Sequence, residues 1–259
     1  MAVVTADVLY VQKDQPPGVP PLSLTGERTL PDVPEENYWY QRHLVVYEWI
    51  AARVDGMRVL DMGCGEGYGP AVLAKRAAAV VGVDANPEAY EHARLRYTAP
   101  GLTFERGLVE SHGEPGTFDA VVFLQTIEHV VDPVAVLQHM RTLLTPGGVA
   151  YISTPNRLTL AGPDAEKSDN PWHLKEYTAT EFRRLCEAAF RTVDLLGVHH
   201  ARKLRAHALA LSLGWDRVHA ALRITAPFYD RFTPAIASSD FALRADAVER
   251  ALDFLAICR

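Results

Sequence analysis

A chain of 259 residues accommodates one large domain, or one domain with an insertion, and is short for two ordinary domains with a linker. Hydrophobic residues make up 48% and charged residues 22%, which excludes a disordered or fibrous chain. The formal net charge of −6 argues against unspecific electrostatic binding to nucleic acid or an anionic membrane, while leaving room for a local basic patch. No apolar run reaches transmembrane length, and the opening MAVVTADVLYVQKDQ lacks the basic start and apolar block of an export signal. Cys64, Cys186 and Cys258 have no metal-knuckle spacing and read as free thiols, so a cytoplasmic enzyme is the expectation.

Residues 1–34 contain Pro16, Pro17, Pro20, Pro21, Pro31 and Pro34, which predict an extended N-terminal segment. From Glu35 to Arg53 the pattern turns helical, with Tyr40, Leu44, Tyr47 and Ile50 spaced for one buried face. A strict alternation follows. Arg58–Met62 reads as a buried strand, GCGEGYG as a turn, and PAVLAKRA as a helix with Pro70 in its first turn. Ala79–Asp84 is the next strand, Pro87 opens a helix to about Tyr97, and LTFER and Phe118–Phe123 are further strands. A helix from Asp132 to Leu144 leads to a fifth strand at Val149–Thr154. This spacing implies right-handed crossovers and a parallel sheet covered on both faces, an α/β fold. Beyond it, Ala179–Ala189 predicts a helix and Thr192–Val198 a strand. Ala201–Ile236 reads as mostly helical with breaks at Gly214 and Pro227, and LDFLAICR as a buried strand. The expected organisation is a single domain over 35–259, interrupted by a helical insertion at about 200–249.

The strongest local signal is VLDMGCGEGYG (Val59–Gly69). Ligands of open parallel sheets bind at the carboxyl ends of strands, and glycines there let a ligand approach the backbone. Asp84, at the end of the next strand, has the spacing of a carboxylate that accepts ribose hydroxyls. A dinucleotide loop would read G-x-G-x-x-G, yet the sixth position from Gly63 is Tyr68 and from Gly65 is Pro70. Asp61, two residues before Gly63 at the end of the strand, would repel a pyrophosphate and suits an ammonium or sulfonium group. The pattern favours S-adenosylmethionine over NAD. The bland alternative is a glycine turn with no ligand.

VLDMGCGEGYG, VVGVDANPE, FDAVVFLQTIEHVVDP, LLTPGGVAYISTPN and NPWHLKEYTATEF resemble, in order, the motifs of class I S-adenosylmethionine-dependent methyltransferases of the type 11, ubiquinone-pathway-like group. The resemblance covers about residues 57–199. It implies a Rossmann-like seven-stranded, mostly parallel sheet with an antiparallel last strand. It also implies that Asp61, Gly63, Cys64 and Gly65 hold the methionine portion, that Asp84 binds the ribose and that Ala85 lies against the adenine, with Gln125 in the same site. Many relatives carry an acidic residue where this chain has Leu108, so adenine would be held by the backbone of Leu108 and Val109, or by Glu110 in a shifted register. LTGERTLPDVPEENYWYQRHLVVYEWI and the terminal LDFLAICR are similar to actinobacterial methyltransferases of methylglucose polysaccharide synthesis. That likeness implies methyl transfer to a glucose hydroxyl.

An alcohol acceptor must lose its proton as the new bond forms, to a base or beside a metal. Gln125, Glu128 and His129 follow the fourth strand, and an imidazole is the natural base, so His129 is the candidate, against the reading that Glu128 and His129 merely brace a turn. The same residues resemble the E-x-x-E-H pattern of some ubiquinone-pathway and small-RNA methyltransferases that bind a divalent metal. Here Gln125 replaces the first carboxylate, leaving Glu128, His129 and the later His173. Weak affinity follows, and a metal-free site is preferred to one holding Mg²⁺. The long connection Pro155–Tyr177 carries Asn156, Arg157, Asp164, Asn170, Trp172, His173 and Tyr177, suited to hydrogen-bonding and stacking on a sugar or planar ring. Tyr38, Trp39, Tyr40, Arg42 and His43 either close over the cofactor or pack the first helix. Arg202, Lys203, Arg205 and His207 form a solvated helix face or, as the minority reading, an anion-binding stretch. The leading expectation is O-methylation of a carbohydrate hydroxyl. The alternatives are a phenol or quinol acceptor in an apolar pocket from Leu204–Leu222, or a non-catalytic cofactor sensor. Nucleic-acid methylation is disfavoured by the acidic balance and by the lack of an N-P-P-aromatic motif.

Overall fold

The computed structural model describes residues 9–25, 28–161 and 165–259. Gly26 and Glu27 of the LTGER motif, Asp164 of the long connection and the first eight residues lie outside the described residues. Strand β1 (Leu9–Tyr10) pairs antiparallel with β2 (Leu22–Ser23). Proline keeps the rest of this stretch from regular pairing, but it is not loose: Leu22, Leu30 and Val33 bury together in a small core of their own. The segment is a docked strap.

Helix α1 (Asn37–Ala51) buries Val46, Tyr47, Ile50 and Ala51, whereas Tyr40 and Leu44 are only half-buried. The alternating region then runs β3 (Arg58–Met62), α2 (Tyr68–Leu73), β4 (Ala79–Asp84), α3 (Pro87–Arg96), β5 (Leu102–Arg106), β6 (Phe118–Leu124), α4 (Pro133–Leu143) and β7 (Leu144–Pro155). Two helix starts are sharply set. Asn86 Oδ1 accepts from Glu88 and Ala89 N–H ahead of α3, and Asp132 Oδ1 accepts from Ala135 N–H ahead of α4, each with proline at the first helical position. The second half contains α5 (Arg157–Leu160), α6 (Ala179–Glu187), β8 (Val193–His200), α7 (Arg202–Ser212), α8 (Trp215–Leu222), α9 (Thr225–Phe232), β9 (Phe241–Arg244) and β10 (Asp253–Cys258).

The main sheet has the order β5-β4-β3-β6-β7-β10-β8-β9. Strands β5 to β7 are parallel, and β10 lies between β7 and β8, antiparallel to both. The expected Rossmann-like sheet with its antiparallel last strand is present. It has eight strands rather than seven, because β9 adds to the outer edge of β8 from inside the segment expected to be helical. Pro227 does not break a helix. It sits in the first turn of α9, where its missing N–H has no intrahelical partner, and the chain turns instead at Arg223, with φ +55°.

Successive strand residues feed two cores on opposite faces of the sheet. Leu60, Val121, Phe123 and Phe254 pack with Phe182 on one side, and Val59, Val122 and Leu255 pack with Val46 and Ile50 on the other. That double burial is why the central strands read as continuous apolar runs. The three cysteines are buried and unbridged. Among the described residues no helix is long and apolar enough to cross a membrane.

Candidate active site

The glycine loop leaves β3 at the carboxyl edge of the sheet. Gly63, Gly65 and Gly67 all adopt left-handed φ, at +71°, +55° and +100°, which explains three glycines at alternate positions. The N–H groups of Gly63 and Cys64 both donate to the Val83 carbonyl, at 2.8 and 3.0 Å, tying the loop to β4. A Cβ at Gly63 would lie 2.8 Å from Thr126 Cγ2, whereas above Gly65 the nearest atom would be Arg28 Cβ of the strap at 3.8 Å.

Asp84 Oδ2 accepts from Gly65 N–H at 2.8 Å and Oδ1 from Asn86 N–H at 2.9 Å. Each oxygen keeps a second lone pair for a ligand hydroxyl, and Ala85 beside it is exposed. Asp61 is fully buried. Its Oδ1 accepts from Tyr47 Oη at 3.5 Å, and its Oδ2 has no partner among the described residues. Burial pushes its carboxyl well above the usual range. A buried carboxylate with an orphan oxygen is costly until a donor or cation meets it. Together with the open, Cβ-free loop, this fits the ammonium end of S-adenosylmethionine.

After β5, Leu108 exposes its side chain while its carbonyl accepts from Ser111 and His112 N–H, and Val109 is half-buried. Gln125, at the end of β6, is a non-glycine residue at φ +51°. Its backbone N–H donates to the Ser153 carbonyl at 3.1 Å and its Nε2 to Ser153 Oγ at 3.1 Å, so the side-chain amide is engaged with β7.

On the acceptor side, Glu128 is buried and accepts from Thr154 Oγ1 at 3.0 Å. Burial pushes its pKa up to about 8. Its backbone carbonyl accepts from Leu174 and Lys175 N–H, which clips the long connection onto the end of β6. His129 Nδ1–H donates to the Trp172 carbonyl at 2.9 Å. His173 Nδ1–H donates to Glu176 Oε1 at 2.6 Å, and Asn170 Nδ2 donates to His173 Nε2 at 3.0 Å. The two imidazoles meet edge to face, 5.0 Å between centroids, and potential ligand atoms of Glu128, His129 and His173 all lie within 4.8 Å of one another. This donor set, rich in imidazole, suits Mn²⁺ or Zn²⁺ better than Mg²⁺. The half-exposed Trp172 donates its Nε1–H to the Thr25 carbonyl of the strap at 3.3 Å.

Other candidates turn out to brace the fold. Asn156 is buried, accepts from Leu158 N–H and donates to the Glu249 and Ala251 carbonyls. Arg157 pairs with Glu181, and Tyr177 lies in the core. Arg42 forms a buried bidentate pair with Asp253 and also donates to the Leu252 carbonyl at 2.7 Å, joining α1 to β10. Tyr38 bonds His200 at 2.8 Å, Trp39 stacks against the Arg42 guanidinium, Tyr40 meets Tyr68 edge to face, and burial pushes His43 down to about 4. The aromatic cluster of α1 therefore packs that helix, the second of its two expected roles. In the insertion, Lys203 pairs with Asp240 and His207 stacks on Phe228, while Arg202 and Arg205 are exposed.

Two residues escaped the sequence reading. Glu176 was visible only as a carboxylate three residues after His173. Glu66 sits within the glycine loop, and its Oε1 accepts from Gln12 Nε2 at 2.9 Å and Tyr97 Oη at 2.7 Å beside Arg96, fastening the strap to the loop.

A family model described as a methyltransferase domain matches residues 38–190. The chain belongs to the S-adenosylmethionine-dependent methyltransferases, and S-adenosylmethionine is its cofactor. It is similar to a protein of Mycolicibacterium smegmatis named a probable S-adenosylmethionine-dependent methyltransferase, 43% identical over 71% of both chains. It is also similar to a ubiquinone biosynthesis O-methyltransferase of Aeromonas salmonicida, 34% identical over 62% of this chain and 76% of that one. Among solved structures, an S-adenosylmethionine-dependent methyltransferase of Thermotoga maritima shares the fold with a TM-score of 0.56 at 16% identity, covering 86% of this chain and 94% of that one.

Proposed function

We propose that this methyltransferase acts on a hydroxyl oxygen of a carbohydrate, a glucan or oligosaccharide, with His129 as general base. The observation that carries the reading is the bond from His129 Nδ1–H to the Trp172 carbonyl. A carbonyl can only accept, so it holds the proton on Nδ1 and leaves the lone pair of the neutral ring on Nε2, the basic nitrogen. The exposed Trp172 indole beside it offers a flat apolar face for a sugar ring. The likeness of the N-terminal segment to methylglucose-polysaccharide methyltransferases supports the same acceptor class.

Bound S-adenosylmethionine supplies an electrophilic methyl group on a sulfonium sulfur. Asp61 would meet its ammonium group, the backbone of Gly63, Cys64 and Gly65 its methionine chain, and Asp84 its ribose, with Ala85, Leu108 and Val109 bordering the adenine and Gln125 completing the wall. Methyl transfer is an in-line displacement, so alignment is the chain's main contribution. His129 Nε2 takes the acceptor proton as the oxygen–carbon bond forms. His173, locked by Glu176 and Asn170, packs edge to face on His129 and holds that ring in place, and Glu128 fixes the loop that carries Trp172.

A panel of glucans, short oligosaccharides and phenols incubated with radiolabelled methyl donor tests the acceptor. Label on a sugar hydroxyl, lost in His129→Ala while cofactor binding persists, is the expected result; label on phenols alone overturns the carbohydrate assignment. A second reading, a phenol or quinol acceptor activated by a divalent cation on Glu128, His129 and His173, is favoured by the 4.8 Å cluster and by the ubiquinone-pathway relative. Activity lost on chelation and restored by Mn²⁺ or Mg²⁺ would select it.

A further inference from the structure

Strand β8 runs parallel to β7, so its last residue, His200, lies at the same sheet edge as the glycine loop, and the helical insertion rises from that edge. The insertion is held to the body through its ends. Asn37 Nδ2 donates to the Thr233 and Ile236 carbonyls at 2.8 and 3.0 Å, and Lys203 pairs with Asp240. Inside it, α8 turns Trp215 and His219, four residues apart, against the aromatic ring of Phe228 on α9. Val218 and Leu222, each three positions on from one of these rings along the same side of α8, extend past the Phe228 contact and stay exposed.

Helix α7 repeats the pattern at its end with Leu209 and Leu213, also four apart. Leu213 is 80% exposed, Leu209 and Leu222 are each 62% exposed, and Val218 and Ile224 are exposed as well. Leucines at this exposure on two consecutive helices make an apolar surface that none of the described residues covers. Its charge is the second observation. Residues 201–236 carry six basic side chains, Arg202, Lys203, Arg205, Arg217, Arg223 and Arg231, against two acidic ones, Asp216 and Asp230, in a chain of net charge −6. All six but Lys203 are exposed.

From this we infer that the α7–α8 face of the insertion docks on an anionic lipid membrane, dipping Leu209, Leu213, Val218 and Leu222 into the headgroup boundary while the arginines meet lipid phosphates. Exposed leucines flanked by arginines are the composition of helices that lie in a membrane interface. A second copy of the chain is a poorer occupant: a two-fold contact places each patch against itself, bringing like cations together without compensating acids. The acidic remainder of the chain would keep any other face off an anionic bilayer. Docking there would set the cofactor edge of the sheet near the membrane surface.

Co-sedimentation of the full chain with vesicles tests the inference without any acceptor or turnover. The probes are phosphatidylcholine alone and phosphatidylcholine mixed with phosphatidylglycerol. Binding is expected to the mixed vesicles and to fall with added salt. Arg217→Gln with Arg223→Gln should weaken it roughly twenty-five-fold, about fivefold per arginine. Leu213→Ser with Leu222→Ser should weaken it by at least about tenfold. Both variants replace exposed side chains, and unchanged S-adenosylmethionine binding confirms that they fold. Equal binding to neutral and anionic vesicles, no binding to either, or variants that bind as well as the parent would each overturn the inference. So would a dimer by analytical ultracentrifugation that Leu213→Ser with Leu222→Ser dissolves while vesicles capture nothing, since that assigns the face to a second copy.

Discussion

His173 donates from Nδ1 to Glu176 Oε1 at 2.6 Å while its Nε2 accepts from Asn170 Nδ2 at 3.0 Å, so one imidazole at the rim of the site is held in a single tautomer. Burial pushes the Glu176 carboxyl up, but donations from Ser168 and His173 outweigh it and the net shift is downward, keeping the carboxylate charged. Where a carboxylate orients a metal-ligating histidine, its removal typically costs ten- to hundredfold in activity, and the same scale is taken for this metal-free pair. Glu176→Gln should lower kcat by roughly that factor with cofactor affinity unchanged, and Glu176→Asp should recover part of it. Steady-state kinetics beside calorimetric cofactor binding separate the two; a loss confined to cofactor affinity would remove Glu176 from the acceptor side.

Asp84 serves the loop and the ligand at once, since it accepts from Gly65 and Asn86 N–H. Asp84→Ala should weaken S-adenosylmethionine binding by at least about tenfold, the scale of one charge-assisted hydrogen bond. Competition with S-adenosylhomocysteine in a calorimeter reads the change.

Gly63→Ala asks for a side chain at φ +71° within 2.8 Å of Thr126. The left-handed backbone and the contact act together, and a cost of about 1–3 kcal/mol at the loop is expected. A lower melting temperature and weakened cofactor binding should appear together, and adding Thr126→Ala, which removes both Cγ2 and the Oγ1 that would lie at 2.9 Å, should restore part of both.

The Arg42–Asp253 pair is buried, so deleting one partner strands the other. Arg42→Ala should destabilise the fold by about 3–5 kcal/mol, measured by urea denaturation, whereas Arg42→Met with Asp253→Leu should recover most of it. If the double variant stays as unstable as Arg42→Ala, the loss is not that of a stranded charge and the pair stabilises the fold beyond the volume it fills.

His43 and His200 supply a pH dependence. Burial pushes both down from 6.5 to about 4, so the folded chain resists protonation that the unfolded chain accepts. Below pH 6.5 the unfolded state binds more protons, and stability is lost as pH falls from 6.5 towards 4. His200→Gln keeps a hydrogen-bonding group for Tyr38 and should flatten that decline, followed as the urea midpoint across the window.

Much of this architecture was legible because β3, β4, β6 and β10 bury both faces and therefore read as apolar runs. The glycine loop was legible because left-handed backbone leaves glycine as the economical residue. Strand β9 was not, since four residues on an outer edge, FALR, carry little pattern between a helical segment and a polar turn. The docking of the strap was hidden for a different reason. It depends on Gln12 reaching Glu66, fifty-four positions along the chain, and local periodicity says nothing about such a pair. On the acceptor side, His129 and His173 were named from their residue types, but only folding brings in Glu176 and the Trp172 carbonyl that decide which nitrogens carry protons.

The position of β10 bears on how the protein is made. Strands β7 and β8 each present a bare edge to residues 253–258, so while the ribosome is still adding the insertion both edges stand open in the nascent chain. Pairing over so long a separation is slow, and open edges recruit other chains in the meantime. Translation through the final strand is thus the step that closes the sheet, and before that step the emerging polypeptide depends most on chaperone protection.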